Sequence, residues 1–334
     1  MANSKGFFAV ELEKLFDAID LGINEACLYL IYCVGSGKSN DKTRWSVNAL
    51  TRYTEIATRK GKKASISLQD AKLTRQIKGG KHPQFEILKG DTEQVWLPNA
   101  FITAVDEEDA PLERLRKTGD PLVFKLLFKL YARCNIADDG GVQTDVIFRD
   151  FDKKKIAEHQ NFVLCGFDKK GSRFYPSALH DCLSKTEQQS LRVDEPGKED
   201  ISGFWDRFAL LGDLGLVYYV PTLFDSEQGE PIVSLRDPFT CDYCSELHLI
   251  DNQLPPEFVE RAREYEHSLM IPKTYPNAVL KGVYILRYRQ HTEMVKAGYA
   301  LTQERLERYM KALRLAEYSE EKKDQVQVLS YERH

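Results

Sequence analysis

No run of apolar residues in this sequence reaches the roughly 18 that a membrane-spanning helix needs, so no membrane span is expected. The opening MANSKGFFAVELEKLFDAID carries acids through its only apolar stretch, which is not the pattern of a secretory signal, and the expected compartment is the cytoplasm. Cysteine is sparse: seven residues, odd in number and scattered, exclude a disulfide framework and point to reduced thiols. Only Cys241 and Cys244 form a CxxC, with His248 nearby, and a lone CxxC lacks the second ligand pair of a zinc ribbon, so no metal site is assigned. The seven histidines form no HxH or HExxH, and no GxSxG occurs. A non-enzymatic protein without a cofactor is expected.

One stretch imitates a nucleotide site. CVGSGKSN, Cys33 to Asn40, supplies the Gly37, Lys38 and Ser39 of a phosphate-binding loop, but the position of its first glycine is Tyr32. A phosphate-binding loop also opens a helix that packs at once on a sheet, and SNDKTR offers nothing apolar before Trp45. A polar loop is the better reading, with a nucleotide-dependent factor as the lesser one.

What the sequence does contain is an uneven charge distribution. The net charge of −4 hides thirteen Lys/Arg against four Asp/Glu between Lys38 and Lys89, a surplus of nine, which leaves the rest of the chain at −13. Basic charge gathered into one short segment is an electrostatic footprint for a polyanion, whereas a mixed surface signifies only solubility.

The same segment has helical and then strand periodicity. INEACLYLIYCV has the apolar density of a buried helix; WSVNALTRYT reads as a short helix with Ser46 as N-cap and Val47, Leu50 and Tyr53 on one face. After Glu55-Ile56-Ala57, Thr58 is placed to cap a further helix with Ala64, Leu68 and Ala71 inward, Ala64 small enough to allow a close helix crossing. Arg59, Lys60, Lys62 and Lys63 crowd the start of that helix, where cations oppose the positive end of the helix dipole, an arrangement stability alone would not select. QFEIL and QVWLP, around the turn KGDTE, alternate as a β-hairpin.

Helix, helix-turn-helix, then hairpin is similar to the winged helix-turn-helix superfamily of DNA-binding proteins, over about Ile23 to Thr103. The resemblance implies double-stranded DNA as the partner. It implies base or phosphate contacts from Thr58, Arg59, Lys60, Lys62 and Lys63, further phosphate contacts from Lys38, Lys42, Arg44 and Ser46 before and at the second helix, and wing contacts from Lys78, Lys81, His82 and Lys89.

A second, fainter copy is expected downstream. PLERLRKTGDPLVFKLLFKLYARC reads as an amphipathic helix with Leu122, Leu126, Leu127 and Leu130 inward; NFVLCGF, DKKG and SRFY read as a hairpin; FWDRFALLGDLG is a helix, and LVYYVPTLF, DSEQGE and PIVSL form another hairpin. Ser184 to Gly203 reads as a polar excursion, and from Pro255 onward the chain reads as helical throughout. The expected fold is therefore α+β and helix-rich. It has a DNA-binding winged helix at 1–108, a second winged-helix-like domain at 109–240 and a helical region at 241–334. Either of the last two would serve a homodimer or a protein partner. Tandem winged helices with a helical tail look like plasmid-type replication initiators or regulators of mobile elements. The competing reading is an interaction scaffold or RNA-binding module that uses the same basic segment.

Overall fold

Nine consecutive residues, Ala26 to Val34, are buried along one helix, and their apolar character on every side makes that helix an axis for its surroundings. The computed structural model describes residues 6–37, 40–104, 109–135, 138–158, 162–191, 200–238, 256–288, 293–315 and 327–328. The protein is of the α+β class, with helices and strands mixed along the whole chain.

Contacts divide the chain into two units: 1–134 with 176–218 and 286–292, and 135–175 with 219–285 and 293–334. This is not the expected sequence of three domains with boundaries at 108 and 240. The reason is that the chain leaves the first unit and returns to it, and the returning helix Ser202–Asp213 buries Phe204, Phe208 and Leu211 there.

In the first unit, β1 (Phe7–Glu11) leads to α1 (Leu12–Leu21) and the buried helix α2 (Ile23–Gly35). There follow β2 (Lys42–Thr43), α3 (Val47–Thr54), α4 (Thr58–Asp70), β3 (Thr74–Lys78), β4 (Gln84–Ile87) and β5 (Gln94–Pro98). The three-stranded sheet has the order β2-β4-β3, all antiparallel. The expected hairpin is thus displaced by one strand. β4 pairs with β3 across the turn 79–83, while β5 pairs with β1, Phe7 opposite Pro98 and Glu11 opposite Gln94. The KGDTE stretch is held to β1 instead of forming a tip: Gly90 N–H donates to Glu11 Oε2 at 2.7 Å and Leu12 N–H to Glu93 O at 3.0 Å.

The helical hairpin expected as one helix is two, α6 (Pro111–Thr118) and α7 (Pro121–Ala132), after a short α5 (Ala100–Thr103). Asp120 restarts the chain by capping Leu122 N–H at 2.8 Å, and Leu126, Leu127 and Leu130 are buried as expected. Past α8 (Pro176–Leu179), the supposed polar excursion contains α9 (Lys185–Ser190), started by a capping box between Ser184 and Glu187, and residues 192–199 lie outside the described residues. Next is α10 (Ser202–Asp213), whose C-terminal carbonyl at Leu214 accepts from Arg114 at 2.8 Å.

The second unit is built on β6 (Ile147–Glu158), β7 (Phe162–Phe174), β8 (Val217–Phe224), β9 (Pro231–Ser234), β10 (His267–Pro272), β11 (Val279–Leu286) and β12 (Gln327–Val328), with α11 (Pro256–Ala262) and α12 (Glu293–Leu315). Its seven-stranded sheet runs β10-β7-β6-β11-β8-β9, with β12 also on β6. DKKG is no turn here. It lies within the continuous strand β7, which forms its hairpin with β6, and the irregularity falls instead as a bulge opposite Asp150 and Phe151. β8 and β9 do pair as a hairpin, but as the edge of this sheet.

The helical tail is corrected in the same way. HSLMIP and VLKGVYIL are strands, because continuous apolar runs with β-branched and aromatic residues are buried as sheet interior, which a helical period cannot distinguish. Among the described residues of the tail only α11 and α12 are helical, and α12 is no separate domain: buried Tyr309 donates its hydroxyl to Met270 O at 2.6 Å on β10.

Candidate nucleic-acid interface

The placement of α4 starts from α2. Tyr32 on α2 stacks on Phe85 of β4 with ring centroids 4.7 Å apart, and its hydroxyl meets Ser65 Oγ of α4 at 3.2 Å. Burial and the loss of solvent push the Tyr32 phenol up to about 12, the Ser65 hydrogen bond only partly offsetting this, so the group stays neutral and structural. The inner face of α4 is Gly61, Ala64, Ser65 and Leu68; Ala71, expected inward, is exposed.

α3 fits against that face. Ser46 is its N-cap as expected, accepting from Asn48 N–H at 3.4 Å. Its C-terminus is closed by Glu55 in a left-handed conformation (φ 54°), after which buried Ile56 anchors the turn into α4. Thr51 Oγ1 donates to Val47 O at 3.1 Å within α3 and lies 2.8 Å from Ile56 O in the turn. Thr58 is the first residue of α4 and not its cap. Ala57 takes the cap position without a side-chain bond, and the Thr58 hydroxyl lies 3.5 Å from that of Thr51. The close crossing is made by Gly61, where a Cβ would stand 2.5 Å from Val47 Cγ1.

At about 100° per residue, the buried residues of α4 center opposite a stripe formed by Arg59, Lys62, Lys63 and Ile66, with Lys60 at its margin and Asp70 at its far end. Arg59, Lys60, Lys62 and Lys63 are all exposed, and none makes an ion pair with a described acid.

The β3–β4 hairpin stands beside this helix, Gln76 N–H of β3 donating to Gln69 Oε1 of α4 at 3.3 Å. Lys78, Lys81 and His82 are exposed at or next to its tip. Lys89 is not on the tip. It follows β4 at the opposite end of the hairpin, next to the Gly90 that is tied to Glu11. Lys42 lies in β2 opposite Glu86, and exposed Arg44 follows it. Trp45 then stacks on Tyr53 of α3, ring centroids 5.3 Å apart, which fixes the approach to α3. Lys38 and Ser39 lie outside the described residues, as do Cys241 and Cys244. Around Gly37 the chain runs helix, loop, strand, the reverse of the strand, loop, helix order of a phosphate-binding loop.

The sequence reading missed β3. Arg75 on β3 pairs across to Glu86 on β4, its Nε donating to Oε2 at 2.8 Å, while Ile77 sits at the register shift between Gln76 and Lys78 with its side chain exposed. The signal was present: TRQIK and QFEIL flank Gly79-Gly80, two strand-like runs around a glycine turn.

Several cations of the second unit are ion-paired. Lys170 pairs with Asp152 at 3.0 Å, Arg173 with Asp150, and Lys155 and Lys273 both with Glu158, whose carboxyl those two lysines hold down to about 2. The free thiols Cys27, Cys33, Cys165 and Cys182 are buried, and burial raises each above the ordinary thiol range. Among the described residues there is no cluster of three metal-ligating side chains, and no helix is long and apolar enough to cross a membrane. No protein-family model, no curated protein and no solved structure matches this chain.

Proposed function

We propose that the protein binds double-stranded DNA in a sequence-specific manner through a winged helix-turn-helix in its first unit, and that it is not an enzyme. The order α2, β2, α3, α4, β3, β4, with a three-stranded sheet closing the hairpin, supports that fold. α4 is the helix that enters the major groove, the β3–β4 hairpin is the wing, and Lys42 and Arg44 lie along the phosphate backbone.

One observation carries the reading: four cations within five residues are exposed at the start of α4, with no ion pair to an acid among the described residues. Arg59 and Lys60, in the first turn, oppose the positive end of the helix dipole, and Lys62 and Lys63 add like charge in the next turn, a placement that costs stability in the free protein and is relieved when a polyanion arrives. By contrast, Lys170, Arg173 and Lys273 of the second unit each lie against an acid. Replication initiation or transcriptional control at a plasmid or mobile element is the role this architecture suits, with the second unit available to a partner or a second copy.

The test is selection of duplexes from a randomised library at physiological salt, followed by gel shift in excess competitor. Enrichment of a defined sequence supports the reading. Retention of RNA or of an acidic protein with no enriched duplex would replace it with the scaffold reading.

A further inference from the structure

Ile66 is 59% exposed in the middle of α4, the most exposed of the large apolar side chains described. It lies within about 20° of the center of the stripe formed by Arg59, Lys62 and Lys63, one turn beyond the two lysines. Nothing in the packing calls for it: the inner face of α4 is complete with Gly61, Ala64, Ser65 and Leu68. Helix propensity does not call for it either, since a β-branched residue loses side-chain freedom in a helix and a solvent-facing position is better served by Ala, Glu or Lys.

We infer that Ile66 is a specificity-determining residue that reads the C5-methyl group of thymine. The inference rests on the DNA-binding reading above. In the major groove the thymine methyl is the one apolar feature among donors and acceptors, and an aliphatic side chain is its chemical complement. Arg59, Lys62 and Lys63, in the turns before Ile66, hold the helix to the phosphates by charge, which is blind to sequence. Ile66, without charge or hydrogen-bonding groups, gains from one base and not from the others. Its β-branching, a disadvantage in the free helix, leaves one favored rotamer and so a fixed position for its methyl groups.

The experiment uses the full chain and a duplex enriched from a randomised library. Each thymine of the enriched site is replaced in turn by uracil, which removes only the methyl, and binding is measured for the wild type and for Ile66→Ala. At one or two positions the wild type is expected to lose about fourfold in affinity, the worth of one buried methyl group, while Ile66→Ala binds the thymine duplex more weakly and is indifferent to uracil at those positions. Thermal melting of Ile66→Ala, expected at or slightly above the wild type because the side chain is exposed and alanine is the better helix former, excludes a folding defect. Two results overturn the inference while leaving DNA binding intact: no thymine whose methyl matters to the wild type, or the same methyl dependence in both proteins. Failure to enrich any duplex strikes the DNA-binding reading itself and is recognisable as such.

Discussion

Gly61 on α4 faces Val47 on α3 so closely that a Cβ at Gly61 would lie 2.5 Å from Val47 Cγ1 and 3.0 Å from Leu50 Cδ2. Leu50 is fully buried, and Val47 is half-buried with a β-branched side chain that has one strongly preferred rotamer in a helix, so neither moves aside without cost. Gly61→Ala is therefore expected to destabilise the first unit by about 1–3 kcal/mol, as overpacking does, despite the better helix propensity of alanine. The melting temperature reports the loss. Weakened duplex binding is expected with it, because α4 turns relative to the hairpin.

Glu55 holds a left-handed conformation at the end of α3, φ 54°, with its N–H on Thr51 O at 3.1 Å. Glycine adopts that conformation without a steric penalty. Glu55→Gly is expected to be neutral or stabilising by up to about 1 kcal/mol, and Glu55→Val destabilising by more than that. Chemical denaturation of the two variants against wild type checks the sign. Removing an acid from the turn before α4 should also strengthen duplex binding slightly.

Lys60 and Arg59 are adjacent and exposed but differ in direction, Arg59 on the center of the stripe and Lys60 at its margin. Lys60→Ala is expected to weaken binding to all duplexes alike and to lower the salt slope by about one. Arg59→Ala should cost about 1–3 kcal/mol on the preferred site and less on unrelated duplexes, relaxing specificity. Binding isotherms over a salt series, on matched and scrambled duplexes, separate the two effects.

The basic helix was legible because its signal is local: Ser46 as cap, the apolar spacing of α3 and the cation cluster of α4 all lie within twenty residues. Strand pairing was not. In the sequence β5 reads as the partner of its neighbor β4, whereas its partner β1 lies more than eighty residues upstream, and no short-range pattern distinguishes the two choices. The same limit applies to β10 and β11, where a continuous apolar run fits a buried helix and a buried strand equally well. The role of Gly61 is not legible in the sequence, because a glycine inside a helical pattern reads as a weakness until the neighboring helix is in place. Lys89 reads as a wing residue in the sequence only when QFEIL is paired with QVWLP, one strand too late.

Glu187 and Arg207 form a buried pair in the first unit, Nη2 to Oε2 at 2.5 Å, with side chains 6% and 12% exposed. Burial alone would raise the Glu187 carboxyl, but Ser184 N–H, the Arg207 guanidinium and the Ser184 hydroxyl together hold it below its ordinary value. A carboxyl depressed in the folded state contributes stability above its unfolded value of about 4.3, and that contribution is lost as pH falls through the folded value. The wild type should thus lose stability from this group only below about pH 4.3. Glu187→Gln keeps the shape but leaves the Arg207 charge buried without its counter-charge, an expected loss of about 3–5 kcal/mol at neutral pH. Its stability relative to wild type should recover on acidification. Denaturation midpoints at pH 7, 5 and 3.5 decide the matter, since a difference that stays constant across them would mean that the carboxylate charge is not what holds Arg207.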